Sequence, residues 1–414
     1  MKRYSKITPE GSRDFLFEEC DDRRKVEHIL ADLFKENSYR KVITPAIEFF
    51  DVFDSDNMGI EPEEMYKLSD SKGRTTVLRP DNTMPIARMV ATRLSEEDFP
   101  VRLYYSQNVY VRSKDLNGRS NEIAQSGVEF IGDGSTKADL EVISMAIESL
   151  KRCELNSFKI EIGNAAFFNS ILDKMQITST QKADICKLIE GKNYAALGDL
   201  LERIGDTKET RVIRKLPRLF GDVEVIDEAK TLYDEPKALE ALDYLKSVYC
   251  ALCDAGLKKY IMLDLGLVNR SNYYTGVIFH GYAEGSGLTV LSGGRYDNLL
   301  GEFGMPAPAI GFGVEVTAVC EAMREVINVE RPLRIALTKG RLENKTVDLL
   351  DKIGYDVSEL RDKGRRLILN IPGENIEVVL AKAADVITYV EHGVCDIGVV
   401  GKDTIMEHGG KFFE

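Results

Sequence analysis

The chain has 414 residues, of which 30% are charged and 43% hydrophobic, and its formal net charge at pH 7 is −13. This length exceeds what one hydrophobic core usually supports, so we expect two or three domains of an ordinary globular type. The acidic balance argues against broad, non-specific binding to nucleic acid, which needs a basic surface.

Membrane and targeting signals are not evident in the sequence. No apolar run reaches the roughly 18 residues that a membrane span needs, and the start, MKRYSKITPEGSRDF, lacks the apolar core of a signal peptide. We therefore expect a cytoplasmic protein, and the seven scattered cysteines suit a reducing compartment. Cys250 and Cys253 have C-x-x-C spacing, but they lie in a segment of helical periodicity without a second ligand pair, which favours helix packing over metal binding. The four histidines show no metal-ligand spacing.

The first 160 residues predict an alternation of helices and antiparallel strands. Residues 17–36 form an amphipathic pattern typical of a helix. Strand, proline and short helix follow in YRKVITPAIEFFDVF, and RTTVLRPDNTMPIARMVATRL predicts a strand, a turn with two prolines and a helix. VRLYYSQNVYVRS and NEIAQSGVEFIG alternate apolar and polar residues, which indicates two antiparallel strands joined by a hairpin with Asn117 and Gly118 at its tip. A helix (ADLEVISMAIESLKRC) and a strand (FKIEIG) come next.

The segment from about 168 to 258 is nearly all helical in its pattern, with a break near LPRLFGD. Strands resume at KYIMLDLGLVN, YYTGVIFHGYA and LTVLSGG, and a helix from about residue 315 to 326 closes the region. This order predicts an α+β domain over residues 1–328, built on a mostly antiparallel sheet with a helical insertion.

The pattern changes after VINVERP. From Leu333 the predicted order is strand (LRIALT), helix (NKTVDLLDKIG), two strands, helix (ADVITYVEHG) and strand (CDIGVVG). Alternation of this kind with nearly continuous apolar strands indicates a parallel α/β unit over residues 333–414. Arg331 and Pro332 form the expected linker.

Five motifs of the first region resemble the catalytic core of histidyl-tRNA synthetase in the same order. They are VITPAIEFFDVF, LRPDNTMPIAR, GRSNEIAQSGVEFIG, YYTGVIF and GGRYDNLLGEFGMPAPAIGFG. Each motif is weak alone, but five in order over residues 1–325 are specific. The resemblance implies the class II aminoacyl-tRNA synthetase fold, a pocket for histidine, and dimerisation through the segment around Pro45.

The same resemblance implies which residues bind the amino acid. Asp81 and Thr83 stand where the family places its ammonium-binding pair. Gln125 and Glu129 alternate with Gly127 along one predicted strand, so all three face the same side of the sheet; Glu129 can accept from an imidazole N–H, and Gln125 can bond the amino acid. The remaining members of the implied histidine site are Arg119, Tyr273 and Tyr274.

The cations that amino-acid activation requires are missing from the matching positions. Building negative charge on a phosphate demands fixed cations aimed at it, and the family supplies three arginines. Their positions hold Val111, residues 269–272 (Asn-Arg-Ser-Asn), and Thr317 followed by Ala318. Arg112 lies beside Val111, but strand alternation directs it to the other face. Arg295 and Tyr296 are expected to support the fold. We therefore expect a pocket that recognises histidine but forms no adenylate.

A synthetase-like core that keeps the histidine pocket but lacks the activating arginines resembles the regulatory subunits of ATP phosphoribosyltransferase, the first enzyme of histidine biosynthesis. The first region also lacks a following anticodon-binding domain, and LPRLFGD resembles the regulatory family more than the synthetases. The resemblance implies no cofactor and no metal in this domain. It implies L-histidine and the catalytic subunit as partners, in a homodimer or a larger hetero-oligomer, with no tRNA and no membrane.

The second region resembles the start of a short-form catalytic subunit of ATP phosphoribosyltransferase, a partial lobe of the periplasmic-binding-protein-like type. The matching stretches are LRIALTKGRL, RRLILNI and VVLAKAADVITYVEHGVCDIGVVGKD. The implied substrate-binding residues follow two strands, where an open α/β sheet binds anions: Lys339, Gly340, Arg341, Gly401, Lys402 and Asp403.

The second region ends before the glycine-rich loop that the family uses for the 5-phosphate of phosphoribosyl pyrophosphate. It is either a shortened piece or a naturally incomplete fusion, and alone it should not catalyse the transfer. Mg²⁺ with ATP and phosphoribosyl pyrophosphate is expected only in a complete transferase. Two alternatives to a regulatory subunit stay open: a bifunctional regulatory and catalytic fusion, if the gene extends past residue 414, and a divergent histidyl-tRNA synthetase.

Overall fold

A computed structural model describes residues 7–53, 60–112, 120–268, 273–284, 286–327, 332–364, 366–391 and 393–408. The chain divides into two compact units, the first ending at Val326 and the second beginning at Ile327. The hairpin tip predicted at Asn117 and Gly118, the site residue Arg119, and the linker residue Arg331 lie outside the described ranges. Within those ranges, no helix has the length and apolarity that crossing a bilayer requires.

The helices of the first unit follow the predicted order. They are α1 (Glu18–Glu36), α2 (Thr83–Arg93), α3 (Thr136–Arg152), α4 (Ala165–Leu172), α5 (Ser179–Glu190), α6 (Tyr194–Ile204), α7 (Lys208–Lys215), α8 (Glu224–Leu232), α9 (Pro236–Asp254) and α10 (Val316–Ile327). One detail differs from expectation, because Pro85 lies in the first turn of α2 and not in the turn before it. A proline is tolerated there, since the first N–H groups of a helix have no partner within it.

The strands of the first unit form two sheets. They are β1 (Arg40–Lys41), β2 (Ile47–Phe49), β3 (Lys67–Ser69), β4 (Thr75–Leu78), β5 (Val101–Tyr110), β6 (Glu122–Ile131), β7 (Phe158–Asn164), β8 (Phe220–Gly221), β9 (Ile261–Asp264), β10 (Val277–Ala283), β11 (Thr289–Arg295) and β12 (Ala309–Glu315). In the described residues the larger sheet has the order β1-β5-β6-β12-β11-β10-β7-β9-β8, and the smaller has β2-β4-β3. Only β1 with β5 and β7 with β9 pair in parallel there, which agrees with the predicted α+β class.

Alternate residues of the central strands contribute to two separate cores. On β10, Val277 and Phe279 join a larger core that includes residues of α1, α3 and α9, whereas Ile278 between them joins a smaller core with residues of α2. This is the period of two that a strand imposes on its side chains. The smaller core also contains Tyr273 and Tyr274, so the face of the sheet that carries it is the face of the predicted pocket.

A buried ion pair connects β11 to α3. Arg295 is 5% exposed and Asp139 is fully buried, and Arg295 Nε donates to Asp139 Oδ1 at 2.7 Å. Arg295 also donates to Asp297 Oδ1 at 3.0 Å, and the hydroxyl of Tyr244 donates to Asp139. Arg295 thus supports the fold as predicted, because its buried guanidinium donates hydrogen bonds to two carboxylates.

The helical insertion between β7 and β9 contains α4 to α9. The predicted break at LPRLFGD is a short 3₁₀ turn at Leu216–Arg218 followed by β8. Phe220 and Gly221 of β8 pair with Asp264 and Leu263 of β9. This short strand, which the sequence pattern did not predict, therefore joins the insertion to the edge of the large sheet.

The second unit is a partial α/β lobe. Its elements are β13 (Leu333–Thr338), α11 (Arg341–Lys352), α12 (Ser358–Arg361), β14 (Ile368–Asn370), β15 (Ile376–Ala381), α13 (Ala383–Glu391), β16 (Ile397–Val399) and α14 (Lys402–His408). The described strands lie in the order β14-β15-β13-β16. β13 pairs in parallel with β15 and β16, and β14 is an antiparallel edge strand.

Candidate functional site

The candidate pocket lies where β6 of the large sheet meets the start of α2. Gln125, Gly127 and Glu129 share one face of β6, and the side chains of Gln125 and Glu129 reach Asn82 and Thr83 at the helix start. Two distant segments of the sequence therefore converge on one point, as predicted for an amino-acid site.

Glu129 is the most buried of the predicted ligand residues that the structure describes, with only 1% of its surface exposed. Thr83 Oγ1 donates to its Oε1 at 2.8 Å, and the Tyr296 hydroxyl donates to its Oε2. Burial raises the pKa of Glu129 to about 8, although these two hydrogen bonds favour the ionised form. Near neutral pH the side chain is therefore largely protonated, and it can donate to a ligand as well as accept from one.

Asp81 lies half-buried at the start of α2. Its Oδ1 accepts from the backbone N–H of Met84 at 2.8 Å, so it caps the helix. Burial raises the pKa of Asp81 to about 6, while backbone N–H groups of the helix start favour the ionised form. At neutral pH Asp81 is the ionised carboxylate of the pocket, which suits an ammonium group.

Three tyrosines form an aromatic wall beside Glu129. The rings of Tyr273 and Tyr274 are tilted with their centroids 4.6 Å apart, and Tyr273 meets Tyr296 edge to face at 5.8 Å. A Cβ on Gly294 would lie 2.8 Å from the Tyr274 ring, so only glycine allows the ring this position. The predicted pair thus packs against Tyr296, whose hydroxyl donates to Glu129, and ligand contact by these rings stays a prediction.

Glycines on β12 leave space for the polar side chains of β6. Gly311 is opposite Glu129 in the strand register, and a Cβ there would lie 1.9 Å from Glu129 Oε2. A Cβ on Gly313 would lie 2.7 Å from Gln125 Nε2. The sequence predicts that the glycine-rich stretch lets elements pack closely. At these two positions the reason is specific, because any side chain would overlap Glu129 or Gln125.

The positions that would hold phosphate in a synthetase carry no cation among the described residues. Val111 forms an isolated β-bridge with Met65. Arg112 is exposed, and its backbone N–H donates to the carbonyl of Glu64. Ala318 is buried in α10 beside Thr317. Arg119 and residues 269–272 lie outside the described ranges, so their predicted roles stay predictions.

Sequence reasoning missed two residues that contact the predicted site. The sequence predicts only a supporting role for Tyr296, yet its hydroxyl donates to Glu129. Asn82 belongs to the motif LRPDNTMPIAR, in which the sequence gives it no role, yet its Nδ2 donates to Gln125 Oε1 at 2.9 Å. The alternation of strand residues could not find either one, because neither belongs to β6.

The predicted substrate residues of the second unit lie at the same edge of its sheet. Leu337 of β13 pairs in parallel with Val399 of β16, so the segments Lys339–Arg341 and Gly401–Asp403 both follow carboxyl ends of neighbouring strands. The backbone N–H of Gly340 donates to Glu343 Oε2 at 3.1 Å. This placement is the one an anionic ligand uses in an open α/β sheet, and binding there stays a prediction. In the described part of the chain, no three His, Cys, Asp or Glu side chains are grouped to hold a metal ion.

The fold and pocket of the first unit define the class of protein. The family model for histidyl-tRNA synthetase matches residues 11–319. A solved histidine–tRNA ligase subunit from Alicyclobacillus acidocaldarius superimposes with a TM-score of 0.67 at 27% identity, over 78% of this chain and 98% of that one. The first unit therefore has the class II synthetase fold, and the predicted fold class is confirmed.

The particular family is that of the ATP phosphoribosyltransferase regulatory subunits, to which the chain belongs. The regulatory subunit of Clostridium novyi (strain NT) is 41% identical over 397 residues, which cover 95% of this chain and 94% of that protein. The one of Bacillus cereus (strain ATCC 10987 / NRS 248) is 38% identical over 92% of this chain and 88% of its own length. A solved structure from Bacillus halodurans C, described as an ATP phosphoribosyltransferase regulatory subunit/histidyl-tRNA synthetase, covers 97% of this chain with a TM-score of 0.70 and 31% identity.

The comparisons also reach the second unit. The ATP phosphoribosyltransferase family model matches residues 382–414, which begin just before α13. The match to the Clostridium novyi protein covers 95% of the chain and so includes most of the residues after Val326. The Clostridium novyi regulatory subunit therefore aligns with most of the second unit as well as with the first.

Proposed function

We propose that this chain is the histidine-responsive regulatory subunit of an ATP phosphoribosyltransferase and that histidine binds between Glu129 and Gln125. Family membership supports the regulatory role. The observation that carries the ligand is Glu129, a buried carboxyl with a raised pKa beside an aromatic wall. A carboxyl held this way can pair with an imidazole in either protonation state.

The partner is the catalytic subunit of the same enzyme. The complete assembly joins N1 of ATP to the ribose of phosphoribosyl pyrophosphate and releases pyrophosphate. Feedback inhibition requires that histidine bind the inhibited state of this assembly more tightly than the active one. The same coupling makes the catalytic subunit change the affinity of this chain for histidine.

The chain does not aminoacylate tRNA in this proposal. Adenylate formation needs cations at the phosphates, and the matching described positions hold Val111, Thr317 and Ala318. Histidine-dependent exchange of pyrophosphate into ATP should therefore be absent. Exchange above the background of a reaction without enzyme would establish the synthetase alternative.

An apolar surface on the small sheet supports a homodimer. Ile43 is 74% exposed, Ile47 52%, Phe49 41% and Leu68 43%. The strand register places Ile47, Phe49 and Leu68 on one face of the small sheet, and Ile43 and Ile47 flank Pro45 in the sequence. Exposed apolar residues on one face mark association surfaces, and class II cores are expected to dimerise through the segment around Pro45.

Sedimentation equilibrium tests this surface. Ile43→Glu should shift the chain towards monomer, because a charge cannot be buried there without a partner. Phe220→Glu is the matched control, since Phe220 is 55% exposed on the helical insertion. If both variants associate as strongly as the wild type, this surface is not the dimer interface.

Titration calorimetry tests histidine binding. Wild type should bind L-histidine, and Glu129→Ala should weaken binding severely by removing the hydrogen-bonding group at the imidazole. The control is Glu161→Ala, because Glu161 is a half-buried glutamate of the same sheet on β7. Unchanged affinity in Glu129→Ala would move the histidine site elsewhere, to a subunit interface first of all.

A further inference from the structure

The two edges of the sheet in the second unit differ in how they are protected. In the described residues β14 forms one edge and β16 the other. Arg366 and Pro372 flank β14, and charges and prolines at an edge strand discourage pairing with another chain. The five residues from Ile397 to Gly401, which begin with β16, contain neither a charge nor a proline. The β16 edge is therefore open to a further strand.

Ile397 lies on the face of the sheet that α11 covers. It pairs in parallel with Ile335, which shares a core with Val347 of α11, and paired residues of neighbouring strands share a face. Gly398 faces the other side, because a Cβ there would lie 2.9 Å from Val386 of α13. Ile397 is nevertheless 46% exposed, so its apolar side chain stays open to solvent at the edge.

One flank of α11 adds apolar side chains to the same edge. Leu349 is 58% exposed and Ile353, at the end of the helix, is 63% exposed, and residues four apart lie on one side of a helix. The opposite flank carries Asp348 and Asp351, which both accept from Arg361 of α12. Because α12 packs against β14, Leu349 and Ile353 point towards the β16 edge.

We propose that the edge surface, which consists of β16 with Leu349 and Ile353, binds the same surface of a second copy of this chain. A two-fold axis perpendicular to the sheet makes the two β16 strands antiparallel and joins the two four-stranded sheets into one. The same axis places both α11 helices on one face, where their apolar flanks meet. A two-fold contact requires a surface that is complementary to itself, and an uncharged strand edge beside an apolar flank meets this condition.

The charges around the edge surface also suit a second copy. The chain has a net charge of −13, so two copies repel each other unless the contact keeps their acidic side chains apart. Asp348 and Asp351 are paired on the far flank of α11. Asp396, just before β16, accepts from the backbone N–H of Arg334 in the neighbouring strand at 2.7 Å. These acids are therefore held away from the proposed contact.

Sedimentation equilibrium of the full chain tests the edge surface in an Ile43→Glu background. This background removes the proposed contact of the small sheet and leaves the edge surface unchanged, so the chain should have the mass of a dimer. Adding Ile397→Lys should halve that mass, because the contact would bury a lysine without a partner. Leu349→Lys on α11 should have the same effect. The matched control is Ile368→Lys, because Ile368 is 58% exposed on β14 at the opposite edge, and the mass should stay unchanged.

Chemical crosslinking shows whether two copies meet at β16. Ile397→Cys treated with a short bismaleimide should give a covalent dimer on a denaturing gel. Cys20 and Cys250 of the wild type are also exposed, so wild type and Ile368→Cys measure the background. Crosslinking of Ile397→Cys no stronger than this background would contradict the contact.

The outcomes separate this contact from other occupants of the edge surface. An Ile43→Glu chain that is already a monomer, or an unchanged mass after Ile397→Lys and Leu349→Lys, would overturn the proposal. If these variants keep the mass but lose binding to the catalytic subunit, the occupant is that subunit and not a second copy. Should Ile397→Lys fail to fold by circular dichroism, Leu349→Lys decides the outcome. Failure of the contact leaves the proposed histidine site intact, because the two share no residue.

Discussion

The burial of Glu129 makes the stability of the first unit depend on pH. An ordinary glutamate has a pKa of 4.5, and burial raises that of Glu129 to about 8 in the folded chain. At about 1.4 kcal/mol per pKa unit, this difference corresponds to about 5 kcal/mol. Glu129→Gln keeps the shape of the side chain and removes the ionisation, so it should recover up to this amount.

The sign of the effect follows from proton binding. Between pH 4.5 and 8 the unfolded chain has released the Glu129 proton and the folded chain retains it, so the free energy of unfolding of the wild type falls as pH rises. The advantage of Glu129→Gln should therefore be small at pH 4.5, grow through neutral pH, and level off above pH 8. The altered hydrogen bonds to Tyr296 and Thr83 add an offset that does not depend on pH.

Urea unfolding at pH 5, 7 and 9, followed by circular dichroism, measures this difference. The two unfolding free energies should diverge by several kcal/mol between pH 5 and 9. Glu228→Gln is the control, because Glu228 is exposed on α8, and its curve should run parallel to that of the wild type. Parallel curves for Glu129→Gln as well would refute the claim that the folded chain holds Glu129 protonated.

Two further substitutions test the buried ion pair and the packing beside Glu129. Arg295→Met leaves Asp139 buried without its cation and should cost about 3 to 5 kcal/mol in urea unfolding; a loss below about 1 kcal/mol would show that the pair is not essential. Gly311→Ala places a Cβ against Glu129 Oε2 and should destabilise by about 1 to 3 kcal/mol and weaken histidine binding in calorimetry. Gly198→Ala, in the open middle of α6, should instead stabilise by about 0.5 to 1 kcal/mol, and equal effects of the two alanines would contradict the packing argument.

Much of the fold follows from local patterns. The period of two along β6 and β10 and the amphipathic pattern of α3 are strong, so these elements and their antiparallel or helical character were predictable. The two-residue strand β8 was not, because its pairing with β9 comes from tertiary contact and not from its own sequence. The position of Pro85 inside α2 could not be predicted either, because proline occurs both in the first turn of a helix and in the loop that precedes it.

The candidate site was predictable where one element carries it. Alternation alone placed Gln125 and Glu129 on one face, and the family resemblance supplied Asp81 and the tyrosine pair. The role of Tyr296 could not be predicted, because its hydroxyl bonds the carboxyl group of Glu129, which lies 167 residues away in the sequence. Asn82 was also out of reach, since nothing in its neighbourhood indicates that its amide reaches Gln125 instead of capping α2.

A crystal structure of the chain grown with L-histidine tests the central claim most directly. We expect the ligand on the sheet face between β6 and α2, with its imidazole at Glu129 and its ammonium group at Asp81. Histidine bound at a subunit interface, with this pocket empty at saturating ligand, would contradict the account.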